Sequence, residues 1–383
     1  MAPGETLTIL PRSQAWPKNF HYWATGLLVV GLIPLLKRFN LPLRFDWAGL
    51  VFTYWVLLTE KSIFVATLLY LVGFSPAEAV APLLQRMRRE KARILMVLAY
   101  FLLLGWALGW LNALILTVDT VAILELHDGL KPNGVLRCAS AIFPPAAYLF
   151  VGLLLVSAYN DIILSIRFFA ADDAAFNSMD KWLLRGLSVP QICHWALRVF
   201  PSYFFRLLEF IYYGMFSQIG AALIMVSLQY GKRRGLQFVG AILAGYYFAL
   251  SLFYLWPSQG PFYLCPIHFS EFPSTLRTYA AQKGSMEGAL ALWNHQRLSR
   301  ISFDYYIAFP CMHIVQPLIV MWFLRRWKRM VAVLAAYNVG LVIAIVLLEW
   351  HYIVDIFAGV VVAGLAIAAT DWCELRRRTH PLV

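Results

Sequence analysis

Charge is what this sequence has least of. Only 14% of its 383 residues are Asp, Glu, Lys or Arg, little more than half of what a soluble domain carries. So few charges cannot cover a water-facing surface, and a soluble globular domain is excluded. There are five cysteines, Cys138, Cys193, Cys265, Cys311 and Cys373, and no two form a CxxC pair. That spacing argues against a zinc or redox motif. Cys265 and Cys311 can share a face, which leaves a bridge between them open. Internal repeats and low-complexity tracts are absent. No basic stripe with interleaved aromatics lies on a soluble domain, which speaks against nucleic acid as a partner. A signal peptide is not expected either. Pro3, Pro11, Arg12, Pro17 and Lys18 precede the first apolar run, and no small-residue cleavage site follows it cleanly.

What is present is apolar. Hydrophobic residues make up 61% of the chain and aromatics 16%, as in a multi-pass membrane protein with interfacial aromatic belts. The expected fold class is all-α: a polytopic transmembrane helix bundle with a six-helix catalytic core and N-terminal accessory helices. A first apolar run covers 22–36 and ends at Lys37-Arg38. A second, 47–74, carries Glu60-Lys61 at its middle, either as two short pieces or as one bundle-facing helix. A basic cluster at 86–93 precedes a span at 94–116. Residues 117–134 hold Asp119, Glu125, His127 and Asp128 beside glycine and proline, and read as a solvated turn. From 138 six spans can be counted: 138–166, 206–229, 236–256, 311–324, 331–348 and 352–371. The net charge of +12 comes in short clusters between such runs. Lys232-Arg233-Arg234, Arg325 to Arg329 and Arg376-Arg377-Arg378 all fall on one side, the cytoplasmic one by the positive-inside rule. The start of 138–166 and the cluster at 86–93 then share that side, so 94–134 must leave and return, although it is short for two helices. Three regions follow: an accessory region 1–137, a six-span core 138–371 and a basic cytoplasmic tail 372–383. The segment 170–200, interrupted by Gly186 and Pro190, reads as short amphipathic helices on the outer interface.

The chemistry concentrates between Phe309 and Gly359. His313 and His351 are separated by two apolar runs and one basic turn, so two crossings return the chain to the same surface. Asp355 follows His351 by four residues, one helical turn, so both project from one face. Two imidazoles and a carboxylate converging at a membrane surface form a catalytic constellation.

Those residues also carry a resemblance. His351-Tyr352-x-x-Asp355 with Ala358-Gly359, preceded by Phe309-Pro310-x-x-His313 over six spans, resembles the type 2 phosphatidic acid phosphatase superfamily. Asp180-Lys181-Trp182-Leu183-x-x-Gly186 and Pro257-Ser258-Gln259-Gly260-Pro261-x-Tyr263 are similar to its inositol phosphorylceramide synthase and sphingomyelin synthase branch. The match covers about 138–371. It departs at Cys311, which stands where the wider superfamily has the serine of a Pro-Ser-x-His motif. The Lys…Arg-Pro motif of the lipid phosphatases is absent, as is a Ser-Arg pair before the last histidine, where Leu348-Glu349-Trp350 stand.

The resemblance implies phosphoryl transfer without cofactor or metal. His351 would be the nucleophile, Asp355 its orienting carboxylate and His313 the general acid, then base. Cys311, Ser258, Gln259 and Tyr263 would line the substrate and phosphate site. Arg297 and Arg300 are the candidate phosphate-binding cations, with Arg277 and Lys283 behind them. His194, His268 and His295 read as interfacial. The expected partners are membrane lipids, a phospholipid donor and a hydroxyl acceptor, with the site on the extracytoplasmic or lumenal side of a bacterial inner membrane or a eukaryotic endomembrane. A lipid phosphate or polyprenyl pyrophosphate phosphatase is the alternative. A non-catalytic lipid transporter or scaffold is a third, disfavoured by the absence of paired repeats.

Overall fold

In a computed structural model, residues 62–73, 98–99, 101–102, 134–167, 171–264, 274, 276–293 and 307–379 are described. The expected span at 22–36, Glu60-Lys61, the cluster at 86–93 and nearly all of 94–133 lie outside them. So do Cys265, His268, His295, Arg297 and Arg300.

The described chain is helical, an all-α polytopic bundle without strands. Its elements are α1 (Ser62–Gly73), α2 (Gly134–Arg167), α3 (Asp173–Leu183), α4 (Val189–Val199), α5 (Ser202–Tyr213), α6 (Met215–Leu255), α7 (Pro261–Leu264), α8 (Arg277–Trp293), α9 (Met312–Leu324), α10 (Lys328–Leu347) and α11 (Ile353–Thr379). Among the described residues, four helical stretches are long and apolar enough to cross a membrane: Ser140–Asn160, Ser202–Leu255, Lys328–Leu347 and Ile353–Cys373. The shorter Met312–Leu324 is equally apolar.

The stretch Ser202–Leu255 is two crossings joined by a turn. Gly231 has φ +79, a conformation glycine adopts without steric cost. A Cβ built on Gly235 would stand 2.3 Å from Ser227 Oγ. In a straight helix those residues are separated by about 12 Å along the axis, so the chain doubles back at Gly231. This turn contains Lys232-Arg233-Arg234, and it meets the turn between α9 and α10. The Arg234 guanidinium lies 4.4 Å from the Phe323 ring centre, Arg326 lies 5.8 Å from that of Tyr230, and Tyr230 packs on Trp327 at 5.4 Å. Two of the three expected basic clusters therefore share one end of the bundle.

Around the doubled α6 pack α1, α2, α9 and α11, while α5 packs on α10. The main core lies between them, with Phe238, Ile242, Phe253, Val315, Ile319 and Val362 all buried. A second core, built on Phe205, Tyr212, Phe262, Leu341, Leu348 and Trp350, closes the end opposite the basic turns.

Three expectations change. Pro190 does not interrupt the 170–200 segment but opens α4 behind the N-cap Ser188, where a missing N–H costs nothing. The second core span begins earlier than 206, because α5 runs on through Gly214 into α6. The last helix does not stop at 371. It continues through the arginine cluster to Thr379, since arginine is a good helix former and cations suit a helix C-terminus.

Candidate active site

The site forms where the first turns of α9 and α11 meet. The Cys311 N–H donates to Asp355 O at 3.1 Å, tying the two helix starts together. A Cβ on Gly359 would stand 2.7 Å from Cys311 O and 3.1 Å from Ile314 Cβ. Only hydrogen fits there, which accounts physically for the glycine of the Ala358-Gly359 pair. The first intrahelical bonds of α9 run from Ile314 and Val315 to Cys311 O. The N–H groups of Met312 and His313 precede them, at the positive end of the helix.

The structure brings His313, His351 and Asp355 into one line. His313 Nδ1 and His351 Nε2 are 3.0 Å apart, and His351 Nδ1 is 3.4 Å from Asp355 Oδ2. His351 and Asp355 are buried, at 3% and 0% exposure, while His313 is half-buried. Access to the line therefore runs past His313. Aromatic rings wall it: Tyr212 stacks on His313 at 4.6 Å and on Trp350 at 5.4 Å, and Phe262 meets Trp350 edge-on. Burial favours the neutral form of His351. The Cys311 sulfur and the Asp355 carboxylate beside the ring favour the imidazolium more strongly, and the ring's pKa is pushed up to about 10.

Cys311 belongs to this cluster. It is a free thiol among the described residues; Cys265, the partner the sequence left open for it, lies outside them. One ligand atom each from Cys311, His313 and His351 lie within 4.8 Å of one another. No metal-ligand spacing is visible along the chain; the fold assembles the trio where the starts of α9 and α11 meet.

Two further carboxylates hold the site in place. Asp180, buried on α3, accepts from the N–H groups of Ile353 at 2.9 Å and Val354 at 3.0 Å. Asp355 Oδ2 accepts from Tyr352 N–H at 2.8 Å. The first three donors at the start of α11 are thus taken by acids, which also suit its positive end. Asp173 Oδ1 accepts from the Ser258 hydroxyl at 2.8 Å and from the N–H groups of Gln259 and Gly260, each at 3.0 Å. Gly260 has φ +113, and a Cβ there would lie 2.9 Å from Trp350 O. Burial raises the pKa of both Asp173 and Asp180, against the pull of these hydrogen bonds.

The other expected site residues divide. The Ser258 hydroxyl and the Gln259 N–H are committed to Asp173 rather than turned to the histidines. Tyr263 is half-buried and packs on Phe262 at 4.3 Å. Arg277 and Lys283 are exposed on α8, which is anchored beside the site by Gln282 Nε2 donating to Leu348 O at 2.7 Å. His194 is half-buried on α4. Sequence reasoning did not give Asp173 and Asp180 their tethering roles, although Asp180 opened a recognised motif. The signal was there: two acids seven residues apart on one face of an amphipathic helix, beside a helix start with no Ser, Thr or Asn cap of its own. Tyr212 and Trp350 carry no such signal among so many aromatics.

Residues 185–369 match a family model described as the PAP2 superfamily, which comprises phosphatases and phosphotransferases. No curated protein and no solved structure matches the chain. Both histidines of the line and Asp355 lie inside the matched segment, and the match supports an enzyme of the phosphatase or phosphotransferase type.

Proposed function

We propose that this PAP2-type enzyme moves a phospho-headgroup from a membrane phospholipid to the hydroxyl of a second lipid, through a phosphohistidine on His351. The observation that carries the reading is the 3.0 Å approach of His313 Nδ1 to His351 Nε2, with Asp355 behind the far nitrogen. Asp355 faces Nδ1, so Nε2 is the nitrogen left to react. A proton resting on His351 Nε2 passes along the 3.0 Å contact to His313. That frees the lone pair for attack on phosphorus and arms His313 as the acid. The Nε2–P bond forms, the P–O bond to the leaving group breaks, and His313 protonates the departing alkoxide. In the second half the acceptor hydroxyl gives its proton to His313. Its oxygen then attacks phosphorus and the N–P bond breaks, restoring His351. The helix-start N–H groups of Met312 and His313 supply partial positive charge to the phosphate oxygens.

Acceptance of a lipid rather than water is supported by the walls. Tyr212, Trp350 and Phe262 surround a line in which His351 and Asp355 are hidden from solvent, which favours an apolar acceptor. We read the site as extracytoplasmic, because the basic turns mark the other end of the bundle as cytoplasmic. The test is incubation of the purified chain with a phospholipid labelled in its headgroup phosphate, with and without a lipid alcohol. An acid-labile labelled protein and a new labelled lipid are expected. Release of inorganic phosphate alone, unaffected by the alcohol, makes the enzyme a phosphatase instead.

A further inference from the structure

The trio of Cys311, His313 and His351 is more than a phosphate cradle requires. A hydroxyl or an amide can serve a phosphate oxygen, but a buried thiol beside two imidazole nitrogens makes a soft, three-point ligand set. We infer that this cluster is a binding site for a thiophilic divalent cation of the zinc class, and that occupancy shuts the enzyme off. The binding rests on the geometry alone; the shut-off rests on the function proposed above.

Zinc bonds sulfur at about 2.3 Å and imidazole nitrogen at about 2.0–2.1 Å in tetrahedral array. Ligand atoms then stand roughly 3.3–3.6 Å from one another by that geometry. Here the two nitrogens are 3.0 Å apart and all three ligand atoms fall within 4.8 Å. Closing the set needs side-chain adjustments of an ångström or so, not a rearrangement of helices. The two helix starts are already fixed to each other by the Cys311 N–H and by Gly359.

The surroundings fit the same cation. Asp355 sits behind His351 Nδ1 at 3.4 Å, the carboxylate–histidine arrangement that orients a ligating ring and leaves Nε2 for the metal. A thiolate and a carboxylate together cancel two positive charges, so the occupied site is neutral, as a buried site must be. The sulfur selects against magnesium and calcium, which take oxygen ligands. Three protein ligands leave a fourth position, reached past the half-buried His313, for water or a phosphate oxygen. A bound cation occupies the lone pairs of both histidines, so neither attack nor proton transfer can proceed.

Cobalt(II) is the probe, added to the purified full-length chain in detergent. We expect one equivalent to bind, with the intense absorption of a thiolate-to-cobalt charge transfer, and zinc to displace it. Cys311→Ser should lose that band and weaken zinc binding by at least about tenfold, as loss of a metal's supporting group does. His351→Ala, measured beside it for a folded thermal transition, should weaken binding to a similar degree. Absence of the band in the wild-type chain, or a band unaltered in Cys311→Ser, overturns the site. Zinc that displaces the cobalt and abolishes the band yet leaves lipid turnover unchanged upholds the site and instead overturns the assignment of the two histidines to catalysis.

Discussion

At the scale of the residue, the two histidines are distinguished by what stands behind them. His351 has Asp355 at its far nitrogen and His313 has the Tyr212 ring on its face. Their roles should separate accordingly. Asp355→Asn keeps the shape but no longer holds the tautomer, and turnover should fall about 10²–10⁴-fold with the fold intact. His313→Gln should lose a similar factor on a lipid substrate. On an activated aryl phosphate, whose leaving group needs no proton, it should recover most of the first half-reaction, read as a burst of phenolate. A His313→Gln enzyme equally dead on both substrates would place that ring in binding rather than proton transfer. The proton on His351 also makes a stability prediction. Its pKa in the fold, about 10, stands above the ordinary 6.5, so the fold holds this proton more tightly than the unfolded chain does. That contribution is full below pH 6.5 and is lost as pH rises through about 10. The thermal midpoint of the wild type should therefore decline over this window relative to His351→Gln. Parallel curves for the two proteins would show that the ring carries no extra proton in the fold.

At the scale of the element, α3 is the clamp. It lies outside the spans, with Met179 and Trp182 exposed along one face, and turns Asp173 inward onto the 258–260 turn and Asp180 onto the start of α11 beside the site. Asp180→Ala leaves the Ile353 and Val354 N–H groups without their acceptor, at about 1.5–3 kcal/mol. The larger effect should be on kcat, because the start of α11 sets where His351 and Asp355 stand. Asp180→Asn, which keeps one acceptor oxygen, should recover part of the rate, whereas a loss confined to the thermal midpoint would reduce Asp180 to a plain helix cap. Elements also show where the sequence was legible. The long apolar runs of α2, α10 and α11 stood out because membrane depth fixes their length and composition. The break between the second and third spans was legible from Lys232-Arg233-Arg234, and the positive φ of Gly231 beside it supplies the turn. His351 and Asp355 were legible because both lie on one helical turn, and their nearness to His313 because two crossings bring the chain back to one surface. The tethers from Asp173 and Asp180 were not, since they reach across scores of residues to backbone donors that any sequence possesses. Nor was the Cys311 trio, whose members are joined by packing rather than by spacing.

At the scale of the whole molecule, the bundle has a basic end and a histidine end, and the length of α9 links them. Its 13 residues rise only about 20 Å, against a hydrocarbon core of about 30 Å. With Arg325 and Arg326 at the basic surface, the start of α9 falls short of the opposite one. The histidines then sit below the headgroup level, under the amphipathic α3 and α4, where a lipid phosphate could be drawn in sideways while the chains stay in hydrocarbon. This arrangement makes orientation a matter of function, because it fixes which leaflet supplies the substrate. Lys181 on α3 and Lys232 in the α6 turn are both exposed and lie at opposite ends. In a Cys373→Ser background, which removes an exposed native thiol, Lys181→Cys should react with a membrane-impermeant maleimide in intact cells. Lys232→Cys should react only after permeabilisation. The reverse pattern would turn the histidine end to the cytoplasm and make the inner leaflet the source of the headgroup, against the charge bias of every basic turn in the core.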